Sequence, residues 1–254
     1  MKRPGQVGLM LLMACLLLLG HGAEARTWKA VGTTFAKVFE PTPDGNYQGL
    51  GVELLREIAS RMGDQVEFGL YPWPRAQAMV EQGDADILIG PYKSEERLMR
   101  FVFSAQGFYR DDMVFFVRRG KDWRWNGSFE TLAGARIGAI NGWVYGAGFE
   151  AAEPVLHIER INSLEGALRM LDRDRMDLLA ANRRNVDGLL FQLGLGGRLE
   201  PIAPPISSQI GYFAFPKGAG HEALRQRFDQ TFFELVRSGE LKRMGQRFGV
   251  EVPN

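Results

Sequence analysis

The chain has 254 residues, with 31 Lys and Arg against 30 Asp and Glu, and a single cysteine. So even a balance offers no basic field for nucleic acid, and one cysteine excludes an intrachain disulfide or a thiolate metal site. The length suits one large domain or two modest ones, big enough to bury a core without covalent staples.

The first residues read as an address. Lys2 and Arg3 give a positive start, Leu9 to Leu19 is an unbroken apolar run, and Ala23-Glu24-Ala25 supplies small residues two apart. These are the parts of a cleavable secretory signal over residues 1–25, and the run is shorter than the roughly 20 residues needed to span a bilayer. Cys15, after Leu12, Met13 and Ala14, loosely resembles a lipoprotein processing site. Lipidation there would start the mature chain with the greasy run Leu16 to Leu19, so Cys15 is read as one more apolar residue of the signal. Cleavage removes Lys2, Arg3 and Glu24 and leaves acids and bases in balance.

Strand-like and helix-like segments then alternate, the pattern of an α/β protein with mainly parallel sheets. Trp28 to Gly32 is a short apolar strand. Leu55, Ile58, Ala59 and Met62 follow at helical spacing with Gly63 as the stop. Val66 to Leu70 is a strand, Ala76 to Gln82 a helix ended by Gly83, and Ile87 to Ile89 a buried strand. Phe101 to Phe103 and Met113 to Val117 are further strands. The polar, Trp-rich stretch Lys121 to Gly127 separates a second block, in which Arg136 to Ile140, Val155 to Ile158 and Met176 to Ala180 are strands. Ser163 caps a helix with Leu164, Ala167, Leu168 and Leu171 on its apolar face. The segment Pro201 to Pro205 ends this block. A strand from Ile210 to Phe215 follows, then a helix with Leu224, Phe228, Phe232, Leu235 and Val236 on one face, and a last helix from Leu241 to Phe248. There is no internal repeat. His157 and His221 lie far apart without metal-ligand spacing, and no nucleophile elbow or phosphate loop occurs, so neither metal nor cofactor is expected.

Six stretches in order carry a resemblance. GLGVELLREIASRMG (49–63), AMVEQGDADILIGPYKSEER (78–97), FVFS (101–104), MDLLAAN (176–182), YFAFPKG (212–218) and LVRSGELKRMGQRFG (235–249) together resemble the family-3 solute-binding proteins, the polar amino-acid receptors of ABC importers. PWPRA (72–76) is found in a less-studied branch of that family. The resemblance implies a two-lobed, type II periplasmic-binding-protein (Venus-flytrap) fold with mixed, mainly parallel sheets joined by two hinge strands. Lobe 1 would comprise about 27–109 and 213–254, lobe 2 about 113–208, with hinges near 108–112 and 208–212. Ligand would sit at the carboxyl ends of the strands.

The resemblance also assigns candidate ligand contacts. Arg97 occupies the carboxylate-binding position, and a guanidinium fork suits a carboxylate through two parallel charge-assisted hydrogen bonds. Spacing alone leaves it a solvated arginine among Glu95, Glu96 and Arg100. Gly90 and Tyr92 stand where main-chain groups meet the ligand. Ser94 replaces the usual threonine and is equally an ordinary N-cap. Trp73 aligns with the aromatic wall, against the alternative of a core tryptophan. Phe39 aligns with the cleft rim although the expected prolines are absent, and Thr33 with a position that is often acidic. Asn141-Gly142-Trp143 opens a helix whose free amides favour an anion, or is a plain strand-to-helix turn. Trp143 and Tyr145 add cleft surface. Asn182 departs from the pattern, because the resemblance implies an aspartate there that grips an α-ammonium. With Arg183 and Arg184 adjacent, the ligand is expected to lack a free ammonium or to be more anionic than a standard amino acid.

The expected function is periplasmic capture of a small carboxylate-bearing solute, as a monomer that delivers it to an ABC permease. Ligand contacts to both lobes would favour closure. Two alternatives share the clamp: a cyclohexadienyl or arogenate dehydratase, which needs a carboxylic acid in the cleft, and a soluble partner that presents ligand to a membrane sensor.

Overall fold

The structure is a computed structural model that describes residues 25–253. The expected signal segment and Cys15 lie outside the described residues, save Ala25.

Each lobe starts from a short parallel sheet with a fully buried strand, Ile87–Tyr92 in one and Leu178–Asn182 in the other. β1 (Thr27–Gly32) is parallel to β4 (Gln65–Leu70) on one side and to β5 (Ile87–Tyr92) on the other. All six residues of β5 are buried, so its near-continuous apolar run is the signature of an inner parallel strand. α1 (Leu50–Met62) covers one face with Leu54, Leu55 and Ile58. It stops at Gly63, whose left-handed conformation lets its N–H cap the Ala59 and Ser60 carbonyls. α2 (Trp73–Gln82) begins three residues before the sequence expectation, because Pro74 in its first turn fits a position where no backbone donor is needed. A small hairpin of β2 (Glu40–Pro41) and β3 (Tyr47–Gln48) flanks this lobe.

The lobes share two long antiparallel strands. β7 (Tyr109–Arg118) pairs with β11 (Leu199–Pro216) from Tyr109 opposite Gly211 to Arg118 opposite Leu199. The far end of β11 also pairs with β5 and with β6 (Phe101–Phe103). On the other side, β7 pairs with β10 (Leu178–Asn182), which is parallel to β8 (Arg136–Ile140), itself parallel to β9 (His157–Ile161). The resulting order is β4-β1-β5-β11-β7-β10-β8-β9. The two segments expected as hinges, 108–112 and 208–212, thus run side by side in one antiparallel ribbon.

Alternation along β7 divides the apolar interior. Met113, Phe115 and Val117 face the larger core with Phe149 and Trp125, while Val114 and Phe116 face a second cluster with Leu168, Leu171 and Leu190. In the first lobe, α7 (Ala219–Arg237) presents Phe228 and Phe232 to Phe213, which stacks on Phe108 with ring centroids 4.2 Å apart. α8 (Glu240–Phe248) closes the chain.

Four expectations are corrected. Pro201 to Pro205 does not end a block; it lies inside β11, where the strand has only β7 as a neighbour and its register shifts between Ile202 and Ser207. An edge with a bulge tolerates residues that cannot donate to the ladder. The Trp-rich stretch is no spacer: Trp125 is buried, edge-on to Phe115, and its Nε1 donates to the Pro204 carbonyl at 2.6 Å. Trp125→Phe is expected to cost about 1 kcal/mol for the lost hydrogen bond, a fall in melting temperature of roughly 2–4 °C, measurable by calorimetry. β9 starts at His157 and not at Val155, because Pro154 draws Val155 into an exposed 3-10 turn. Finally, 141–142 forms a turn, 143–146 is irregular, and the next helix, α4 (Ala147–Ala152), begins only after Gly146. No helix start stands at Asn141-Gly142-Trp143. Among the described residues, no helix is long and apolar enough to cross a membrane.

Candidate functional site

The carboxyl ends of β5 and β8 face each other across the gap between the lobes. α3 (Glu95–Arg100) follows β5, with Ser94 as its N-cap: the Ser94 hydroxyl accepts from the Arg97 N–H at 3.3 Å. Ser94 therefore does what a serine before a short helix does, and it fixes the turn that carries Arg97.

The Arg97 side chain turns back beneath the strand end and is only 5% exposed. Its Nη1 donates to the Tyr92 carbonyl at 3.0 Å, and its Nη2 donates to the Gly142 carbonyl, in the other lobe, at 2.9 Å. The guanidinium carbon lies 5.4 Å from the centroid of Trp73, a cation–π contact. The neighbouring Glu96 pairs with Arg100 at 2.9 Å and not with Arg97. Burial holds the Arg97 guanidinium below the usual arginine value, with the Glu96 charge pulling the other way. Among the described residues, no carboxylate pairs with it: a buried cation bridges the lobes through main-chain carbonyls alone.

Around it lies a small, partly open inner cavity lined by Phe35, Trp73, Gly90, Tyr92, Arg97, Gly142, Trp143, Val144 and Asn182. The cavity leads into an outer groove that shares Arg97, Gly142, Trp143 and Val144 and adds Lys93, Ser94, Glu150 and Gln209. Gly90 and Gly142 adopt φ of 82° and 73°, which lets the backbone turn in close to this point without a Cβ.

A buried polar chain backs the cavity. The Asn182 Nδ2 donates to the Tyr92 hydroxyl at 2.9 Å, and that hydroxyl donates to Asp111 Oδ2 at 2.8 Å. Arg184 grips Asp111 with two bonds, from Nε at 2.8 Å and from Nη2 at 2.6 Å. The Tyr109 hydroxyl donates to the Gly90 carbonyl at 2.6 Å. Asn182 also caps α6 (Arg183–Gln192), its Oδ1 accepting from the Asn185 N–H at 3.0 Å. Asn185 in turn accepts from the Ala36 N–H, reaching back to the first lobe, at 3.0 Å. Burial pushes both tyrosines well up from their ordinary values, so both remain neutral donors.

The structure thus brings together Arg97, Gly90, Tyr92, Trp73, Gly142, Trp143 and Asn182, with Ser94 at the entrance. It does not bring Phe39 or Thr33 to the cavity. Phe39 is buried against Tyr47, centroids 5.1 Å apart, and against Phe68. The reason is a tight bridge between Phe35 and Phe39, which places Phe35 against Trp73 instead. Thr33 is half-buried outside the lining. Tyr145 is also core: its hydroxyl accepts from the Ile140 N–H at 2.6 Å. The expected anion site at a helix start after Asn141 is replaced by a carbonyl that accepts from Arg97. Arg184 adds no free positive charge, since Asp111 neutralises it, and Arg183 is exposed beside Asp187. Asp111, Tyr109 and Asn185 carry no local motif; they matter only because β7 and a helix cap meet behind the cavity.

A gap between two α/β lobes on a shared strand ribbon, with a cation at its centre, defines the clamp form of a solute-binding protein. The chain belongs to the bacterial extracellular solute-binding proteins, family 3, whose model matches residues 31–251. A curated relative, the probable amino-acid-binding protein YxeM of Bacillus subtilis (strain 168), is 21% identical over 208 residues, covering 81% of this chain and 77% of that one. Among solved structures, a histidine kinase sensor domain with similarity to periplasmic binding proteins matches with TM-score 0.77 and 23% identity over 90% of this chain and 99% of that one. An ABC uptake transporter substrate-binding protein from Streptococcus pneumoniae, with bound histidine, matches with TM-score 0.74 and 20% identity over 90% and 94%. These likenesses support the two-lobed fold.

Proposed function

We propose that this protein captures a small carboxylate-bearing solute between its lobes and delivers it to an ABC importer in the inner membrane. The observation that carries the reading is Arg97: a guanidinium 5% exposed, bridging two lobes, with carbonyls but no acid for partners. A buried cation without a counter-charge is costly, and a ligand carboxylate removes that cost while bonding the fork in both arms. The ligand would replace the Arg97 bridge by contacts to both lobes, which favours closure. Residues 27–109 with 213–254 and residues 113–208 are the bodies that would move, flexing near 108–112 and 208–212. Export by an N-terminal signal over residues 1–25 fits the family, as does action as a monomer in the periplasm. The likeness to an amino-acid-binding protein and to an ABC uptake transporter substrate-binding protein supports delivery to a permease. A dehydratase would need an acid at the reacting atoms, and among the described residues the inner cavity is lined by none.

A thermal-shift screen of metabolites tests this. Saturation at about 100 times the dissociation constant stabilises by roughly 2.7 kcal/mol, a rise of several degrees at this size. Hits are expected among carboxylates, with their carboxamides inactive. Hits confined to neutral or cationic solutes would overturn the reading.

A further inference from the structure

The geometry points to a ligand whose carboxylate is accompanied by a neutral hydrogen-bond donor in place of an ammonium: an α-hydroxy acid or an N-acylated amino acid. This rests on the carboxylate reading above and narrows it. Among the described residues lining the inner cavity, Arg97 is the one charged side chain. A free amino acid would pair its carboxylate with that cation and leave its ammonium without an anion in the inner cavity, which is the unfavourable case for a charge out of water.

Among the described residues, no group at the inner cavity offers an ammonium an uncommitted negative charge. Asp111, reached through the Tyr92 hydroxyl, is gripped by Arg184 through both oxygens. The Tyr92 hydroxyl points its proton at Asp111 and accepts from Asn182. The Asn182 oxygen accepts from the Asn185 N–H and the Gly90 carbonyl from the Tyr109 hydroxyl. Glu95, Glu96 and Glu150 stand in the outer groove, exposed to water, where charge attraction is weak.

Two acceptors do fall free. When a carboxylate takes the Arg97 fork, the Tyr92 and Gly142 carbonyls lose their donors. Buried carbonyls need partners, and a hydroxyl or amide N–H on the carbon beside the carboxylate supplies one without adding charge. Phe35, Trp73 and Trp143 then offer apolar surface to the rest of the molecule, and an acyl group has a way out through the residues shared with the outer groove.

Calorimetric titration of the purified protein with matched triads (free amino acid, N-acetyl derivative, 2-hydroxy acid) over all proteinogenic side chains tests this. For at least one side chain, the acylated or hydroxy form is expected to bind about 100-fold tighter than the free amino acid. Free amino acids binding tighter than both counterparts overturn the inference and leave the carboxylate reading standing; no binding by any acid overturns both. Asn182→Asp, which keeps the helix cap, supplies the missing anion and is expected to shift selectivity at least about tenfold toward the free amino acid. An unchanged ratio in that variant also counts against the inference.

Discussion

Arg97→Ala is expected to weaken solute binding by roughly 30-fold to several thousand-fold, the affinity equivalent of losing about 2–5 kcal/mol from a buried charge pair. Among the described residues, the guanidinium is the one charged side chain lining the inner cavity, so no other group there compensates. The fold itself should survive the change. Among the described residues Arg97 closes no ion pair, and the Tyr92 and Gly142 carbonyls it leaves behind face a cavity that water can enter. The melting temperature of the free protein is therefore expected to move by only a few degrees, as for most single substitutions of modest cost. Arg97→Lys should recover little affinity, because an ammonium lacks the planar fork that reaches two acceptors at once. Calorimetric titration of the three proteins with a solute selected by the thermal screen, beside their melting curves, separates lost binding from lost folding.

Asp111→Asn is expected to show the converse, a large loss of stability. Asp111 and Arg184 have side chains 2% and 11% exposed, joined by two short hydrogen bonds. Removing the negative charge leaves a buried guanidinium unpaired, typically worth about 3–5 kcal/mol, or roughly 6–20 °C in melting temperature at this size. The loss should be partly cured by Asp111→Asn combined with Arg184→Met, since replacing both charges by groups of similar volume is often close to neutral. An Asp111→Asn variant that melts with the parent would show that the pair contributes nothing to stability. Because Tyr92 also donates to Asp111, this variant reports on the wall of the cavity as well.

Much of the fold was legible from periodicity and punctuation. Gly63 and Gly83 end their helices in left-handed conformation, and Ser163 caps the helix Leu164–Asp172 by accepting from the Gly166 N–H, as their positions predict. What could not be read locally is whatever depends on the shared strand ribbon. The prolines at 201–205 look like a terminator until the strand is seen to lie at an edge with a register shift, and Trp125 looks like linker until Pro204 offers it an acceptor.

The site divides in the same way. Arg97, Gly90, Tyr92, Trp73 and Asn182 lie on short segments tied to strand ends, so the resemblance carried their positions. Phe39 and Phe35 differ by one tight bridge, which an alignment without the expected prolines does not resolve. Arg184 was visible as a charge, but its partner Asp111 lies 73 residues away in the chain, on β7. A charge without its partner is misread as free.

The most direct measurement is a binding cycle between Arg97 and the ligand's acid group: parent and Arg97→Ala, each titrated with the selected carboxylate and with its carboxamide. The guanidinium-to-carboxylate contact predicts that the parent prefers the acid by about 100-fold or more and that this preference falls below about tenfold in the variant. An acid preference of the same size in both proteins would show that another group holds the carboxylate.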